Sequence, residues 1–333
     1  MEGASLALVI VVALAVVFDY INGFHDTANA IATSVATRAL RPLHAILMAT
    51  AFNFVGAFAG TAVAKTIGAG LVVEATSTQT VIVAALLGAI AWNLFTWYLG
   101  LPSSSSHALI GGLLGSTIVA AGTGALKVDG IVAKVLVPMV TSPLVGFAGA
   151  FVLMLILYWV FRRARRKPMA RAFRRLQVLS AAYMAFSHGS NDAQKTMGII
   201  TLALFAGHVI PTVDVPPWVI VVAASALSLG TAVGGWRIMR TMGHRVVELE
   251  PVHGFAAETT AATVLLVTAH LGMPVSTTHV ISSAIMGVGS ARGPKGVRWG
   301  VARRILLAWI VTLPAAGSAA AIAWFVLHAI GFG

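Results

Sequence analysis

Residues 18–34, FDYINGFHDTANAIATS, and residues 184–200, MAFSHGSNDAQKTMGII, carry one polar motif through two otherwise apolar segments in opposite halves of the chain. Superposing Gly23 on Gly189 brings Asp26 onto Asp192 and Asn29 onto Lys195. A second pair follows in the same order: GLPSSSSHALIGGLLG at 100–115 and GMPVSTTHVISSAIMG at 272–287, with Pro102 on Pro274 and His107 on His279. The chain reads as an internal duplication whose preserved parts are polar. Likeness between apolar helices carries little information. Carboxylates and hydroxyl runs at hydrocarbon depth cost free energy and mark a solute pathway.

Of 333 residues, 58% are hydrophobic and 10% charged, and the mean hydropathy is +0.91. No water-soluble domain of this size carries such a surface, so a polytopic membrane protein is expected. Apolar segments near 4–18, 43–64, 80–99, 105–122, 135–161, 176–206, 218–236, 255–271, 276–291 and 305–328 are each close to the length that crosses a core of about 30 Å. The first is preceded by Glu2, lacks a basic leader and runs straight into the motif, so a retained helix is expected there and not a cleaved signal peptide. There is no cysteine, which removes disulfides and thiolate metal sites.

The formal charge of +12 raises the question of a nucleic-acid partner, but the positions of the charges argue against one. The basic residues gather in four short stretches: Arg38 and Arg41; Arg162 to Arg175; Arg237, Arg240 and Arg245; and Arg292 to Arg304. Basic loops beside membrane spans face the cytoplasm as a rule. Tracing the chain from that rule gives an odd number of segments per half, so the halves should have opposite topology, the architecture of many secondary transporters. The expected fold is an all-α polytopic membrane protein with two inverted-topology repeats, broken helices and two re-entrant hairpins. The first repeat would span 1–161, a basic cytoplasmic loop 162–175 and the second repeat 176–333, in the plasma (inner) membrane with both termini outside.

Asp26, Asp192, Lys195 and Glu258 fall inside the expected spans, at a cost of roughly 2.5–3.5 kcal/mol each at a helix centre. They must be paired, hydrated or liganded; an internal salt bridge of Lys195 with Asp192 or Glu258 is the bland alternative to a transport site. Gly23 and Gly189 supply freedom to break each helix, and Asn22, Asn29, Asn191 and Gln194 offer amides to a desolvated ion. A broken helix attracts anions at its exposed N–H groups and cations at its exposed carbonyls. The competing reading of these glycines is close helix packing.

Ser103, Ser104, Ser105 and Ser106, and Ser276, Thr277 and Thr278, each follow a proline and so sit where a new helix begins. A serine there is an ordinary cap. Two such runs on opposed halves also make a donor-rich cradle for a tetrahedral oxyanion. His25, His107, His188 and His279 accompany the motifs and keep proton handling open. Zinc at His25 and Asp26 lacks a third ligand, so no resident metal and no cofactor are expected. The tryptophans lie mostly near segment ends, as interface anchors do.

These residues resemble the inorganic phosphate transporters of the PiT type, and most of all the bacterial low-affinity phosphate permeases. The likeness is carried by NGFHDTANAIAT, WNLFTWYLGLPSSSSHALIGG, FSHGSNDAQKTMG, HGFAAETTAA and GMPVSTTHVISSAIMGVG, which cover both repeats. It implies a symporter, with phosphate held between the hairpin tips and the broken helices, and a homodimer. On that footing Asn29, Ser104, Ser105, Ser106, Gln194, Lys195, Ser276, Thr277 and Thr278 would bind substrate. His25, Asp26, Asn191, Asp192 and Glu258 would handle the coupling ion. The Asn-Asp pair of the family stands intact as Asn191 and Asp192. His25 and Lys195, however, occupy positions where sodium-coupled members carry asparagine, and both departures count against sodium coupling; the resemblance to bacterial members implies proton symport. The resemblance also implies transport of metal-complexed phosphate, and a related branch moves sulfate.

Two other functional classes fit the residues less well. An intramembrane hydrolase would need Ser and His in nucleophile–base contact, which neighbours in sequence rarely achieve, and one active site needs no second hydroxyl run. A passive channel fits poorly with fixed charges of both signs at midplane, which favour tight binding and alternating access.

Overall fold

A computed structural model describes residues 2–332; Met1 and Gly333, where the two expected repeats begin and end, lie outside the described residues. Apart from turns, 3-10 segments and one isolated bridge between Val72 and Leu126, the described chain is helical. In order come α1 (Glu2–Ala36), α2 (Pro42–Gly56), α3 (Ala62–Ala69), α4 (Gln79–Leu99), α5 (Ser105–Ala121) and α6 (Val128–Val160). Then follow α7 (Arg166–Ala206), α8 (Pro217–Val233), α9 (Trp236–Arg245), α10 (Pro251–His270), α11 (Thr277–Ser290) and α12 (Trp299–Ala329). Each half is a long helix, a broken pair, a helical hairpin and a long closing helix.

The packing repeats as the order does, with partners exchanged between halves. Helix α1 packs on α8 as α7 packs on α2, α5 on α12 as α11 on α6, and α4 on α12 as α10 on α6. The equivalent helices α1 and α7 run in opposite directions. Leu8 lies near Gly207, Asp26 beside His188 and Asp192, and Thr37 Oγ1 donates to Gln177 Oε1 at 2.7 Å. Ascending one helix therefore descends the other, and they cross at the polar motif.

The helix breaks are not where the glycines of the motif suggested. α1 and α7 are continuous through Gly23 and Gly189. These glycines permit close approach instead: a Cβ on Gly23 would sit 2.2 Å from the Leu227 carbonyl oxygen, and one on Gly189 2.2 Å from that of Asn53. Neither backbone can yield, so the packing role, weaker on sequence grounds, is the one realised. The breaks fall in the following elements, at Gly60–Thr61 between α2 and α3 and at Gly234–Gly235 between α8 and α9, where the chain bends by 60°.

Among the described residues, six helices are long and apolar enough to cross a membrane, and the bent α8–α9 pair makes a seventh. That is fewer than the expected segments, for identifiable reasons. Helix α7 is diluted by its polar motif and basic start, and the basic stretch expected as a loop at 162–175 is helical from Arg166 onward. Helices α5 and α11, of 17 and 14 residues, reach only about 25 and 21 Å at a rise of ~1.5 Å per residue. Both fall short of a core of about 30 Å.

The two hairpins turn alike. Gly100 and Gly272 end α4 and α10 at φ of 65° and 66°, a left-handed conformation that favours glycine. After each proline, Ser104 Oγ accepts the His107 N–H at 3.1 Å and Ser276 Oγ accepts the His279 N–H at 3.2 Å. Large apolar side chains face outward, Ile310 being 70% exposed, while the polar motifs are sealed inside. That distribution suits a protein whose solvent is lipid.

Candidate functional site

Helix periodicity places His188, Asn191, Asp192 and Lys195 on one face of α7, against Asp26 and Asn29 of α1 where the two helices cross. Onto this crossing come the tips of both hairpins. Ser104 and Ser276 are N-caps, so Ser105, Ser106, Thr277 and Thr278 occupy first-turn positions whose N–H groups have no partner within the helix. The imidazoles of His107 and His279 meet edge to face with centroids 4.8 Å apart, so the two equivalent tips touch.

Each tip also reaches both halves. The Lys195 ammonium donates to Asp192 Oδ1, to Ser106 Oγ and to the Val275 carbonyl, the last at 3.2 Å, and thereby ties α7 to both tips. Ser106 Oγ donates to the same Val275 carbonyl at 3.3 Å. From the other half, the Asn29 amide donates to Thr278 Oγ1 at 2.9 Å and Thr277 Oγ1 at 3.2 Å, and Thr277 donates to Asp192 Oδ2 at 3.4 Å. His25 lies 2.6 Å from Asp26 through Nδ1 and 3.1 Å from Thr96 Oγ1 through Nε2, with Ser103 and Ser105 hydroxyls 3.4 Å away. His188 contacts Asn53 Oδ1 at 3.0 Å and stands 3.3 Å from Asp192 Oδ2. All are buried; Lys195 is 1% exposed.

The salt bridge of Lys195 with Asp192 is therefore present, and it is part of the hydroxyl cluster. Both Asn191 amide atoms and Asn29 Oδ1 are buried without a partner. Buried amides are nearly always bonded, so unpaired ones here suit a place where a ligand arrives. Ligand atoms of Asp26, His188 and Asp192 lie within 4.8 Å of one another, a spacing one cation could bridge. Any such cation would meet the Lys195 ammonium already on Asp192.

Two of the expected residues stand apart from this cluster. Gln194 gives its amide oxygen to the Val63 N–H at 2.8 Å and its NH₂ to the Ser190 carbonyl at 2.6 Å, so it braces the start of α3. Glu258 accepts from Thr33, from Ser180 and, at 3.2 Å, from Gln177. It forms a second buried carboxylate site about one helical turn beyond Asn29 along α1. Sequence reasoning did not single out Thr96, Asn53, Gln177 or Asp19. The first three lie outside the paired motifs, and Asp19, although inside the first stretch, has Ala185 as its counterpart.

Comparison with known proteins agrees with this architecture. Residues 22–320 match the phosphate transporter family. A probable low-affinity inorganic phosphate transporter of Bacillus subtilis is 47% identical, over 99% of this chain and all of the relative. One from Rhizobium meliloti is 47% identical over 96% of each chain. Among solved structures, the sodium-dependent phosphate transporter superposes with a TM-score of 0.88 at 26% identity, covering 98% of this chain and all of that one.

Proposed function

The chain belongs to the phosphate transporter family, and from that premise we propose that it imports inorganic phosphate by cation symport, with a proton as the coupling ion. It is not an enzyme. The observation that carries the reading is the meeting of two hydroxyl-bearing helix N-termini, with an ammonium, two carboxylates and unpaired amides at the crossing of α1 and α7. Free N–H groups and hydroxyls at helix N-termini recognise a tetrahedral oxyanion. In this reading Asn29, Ser104, Ser105, Ser106, Lys195, Ser276, Thr277 and Thr278 bind phosphate. His25, Asp26, Asn191, Asp192 and Glu258 handle the cation, and Gln194 is a strut and not a ligand.

The antiparallel crossing of equivalent helices and the shortness of α5 and α11 support inverted repeats with re-entrant hairpins in the plasma membrane, the Arg162–Arg175 stretch inside and both termini outside. Alternating access then rocks one half against the other about the central site. A homodimer is part of the proposal. So is uptake of phosphate complexed with a divalent metal, whose charge would offset that of the anion.

Proton coupling is favoured by Lys195. Its ammonium already neutralises Asp192, so a sodium ion there would meet a like charge in a poorly hydrated place. Sodium coupling is the second reading, favoured by the likeness to a transporter named as sodium-dependent. Substrate is tested by uptake of radiolabelled phosphate into proteoliposomes with sulfate and arsenate as competitors. Inhibition by arsenate but not sulfate is expected; equal inhibition by sulfate would make the substrate assignment wrong.

A further inference from the structure

Asp19 is the outlier among the buried carboxylates. Asp26 meets His25, Asp192 meets Lys195, and Glu258 accepts from Thr33, Ser180 and Gln177. Asp19 is 0% exposed and neither of its oxygens has a hydrogen-bond partner. Asn22 and Thr196 adjoin it, yet Asn22 Oδ1 and Thr196 Oγ1 are themselves unpartnered. Asp19 stands seven residues before Asp26, two turns along α1, so it lies toward the Glu2 end of the helix that carries the central site.

The surroundings supply no cation for it. Helix α7 presents Asp192 and Lys195, and that ammonium is already spent on Asp192, Ser106 and the Val275 carbonyl. Helices α4 and α8, also packed on α1, contain no Asp, Glu, His, Lys or Arg. The basic residues of α9 lie toward the other end of α1, where Gly243 adjoins Ala32, and α5 brings only His107. A sealed carboxylate without a counter-ion, with only the neutral side chains of Asn22 and Thr196 beside it, is among the costlier groups a fold can hold. A neutral carboxylic acid is an ordinary polar group whose O–H can donate to an acceptor such as those of Asn22 and Thr196.

We infer that Asp19 carries a coupled proton in addition to the groups of the central site, held as the neutral acid while the site is closed. The inference rests on the proposed proton-coupled phosphate uptake. In the cycle a proton from the outer side joins a carboxylate oxygen as an O–H bond. When the site opens inward, water solvates the carboxylate, the O–H bond breaks, and the same proton leaves on that side. Nothing is oxidised or reduced. The absence of a counterpart at Ala185 also fits, since one proton site needs no copy in the second half.

The test uses the full chain in proteoliposomes, reading radiolabelled phosphate two ways: accumulation driven by a pH gradient of about one unit, and exchange at equal pH without net flux. Under such a gradient each coupled proton multiplies the accumulation ratio by about ten. Asp19→Asn is expected to retain exchange while its accumulation ratio falls about tenfold for the lost proton. Accumulation equal to that of the unsubstituted protein overturns the inference. Loss of exchange in a folded variant also overturns it, since Asp19 would then serve binding or structure. Should Asp19→Asn fail to fold, Asp19→Glu decides: accumulation must persist with a displaced pH profile, and an unchanged profile counts against the inference. If the unsubstituted protein ignores the pH gradient, the proton-coupled reading fails as a whole, an outcome distinct from a failure at Asp19 alone.

Discussion

Replacing Lys195 by methionine preserves the length of the side chain and removes its charge. In the structure the ammonium is sealed, and its three protons go to Asp192, Ser106 and the Val275 carbonyl. Removing one partner of a buried pair costs about 3–5 kcal/mol, because the remaining charge stays buried without its ion partner, here with only His188 and Thr277 beside it. Lys195→Met should lower unfolding stability in detergent by that amount and weaken phosphate binding as well. Adding Asp192→Asn removes the stranded charge, so the double variant should recover most of the loss. The cycle of single and double variants should then give an interaction of about 2–3 kcal/mol, read by denaturant titration at fixed phosphate. Additivity within about 0.5 kcal/mol would mean that the two residues do not act as a pair.

Ser105→Ala and Thr277→Ala should each weaken phosphate binding about tenfold or more with little effect on stability, since a hydrogen bond to a charged group contributes roughly 1.5–3 kcal/mol; unchanged affinity in both would leave the hydroxyls as caps alone. Gly189→Ala would press a Cβ onto the Asn53 carbonyl oxygen and should destabilise by about 1–3 kcal/mol, whereas Gly124→Ala, with nothing within 4 Å, should be neutral. Equal effects would refute the close-packing account. Cysteines placed at 66–78 and 208–216 should react with an impermeant reagent from outside and those at 163–173 and 293–303 should not; external labelling of 163–173 would reverse the topology.

The duplication was legible because it is written in residues that membranes exclude: Asp26 with Asp192, and the hydroxyl runs behind Pro102 and Pro274. The caps at Ser104 and Ser276 followed from local chemistry and stand where expected. Gly23 and Gly189 misled, since a glycine that frees the backbone and one that admits a neighbour look identical in sequence. Only the approach of Leu227 and Asn53 tells them apart. Gln194 read as a site amide because periodicity cannot say which neighbour a side chain meets, and here it meets α3. The cage of Glu258 joins residues from α1 and α7 far away in sequence, so no spacing announced it. Asp19 lies within the first stretch, but with Ala185 opposite it in the second stretch the duplication does not mark it.

The central claim is that phosphate moves against its gradient at the expense of a cation gradient, and that the cation is a proton. The most direct measurement is phosphate accumulation by the unsubstituted protein in sodium-free proteoliposomes at constant membrane potential, with an inward proton gradient imposed and then collapsed by a protonophore. The account predicts accumulation without sodium that vanishes on collapse. Accumulation that requires an inward sodium gradient and ignores the proton gradient would contradict it.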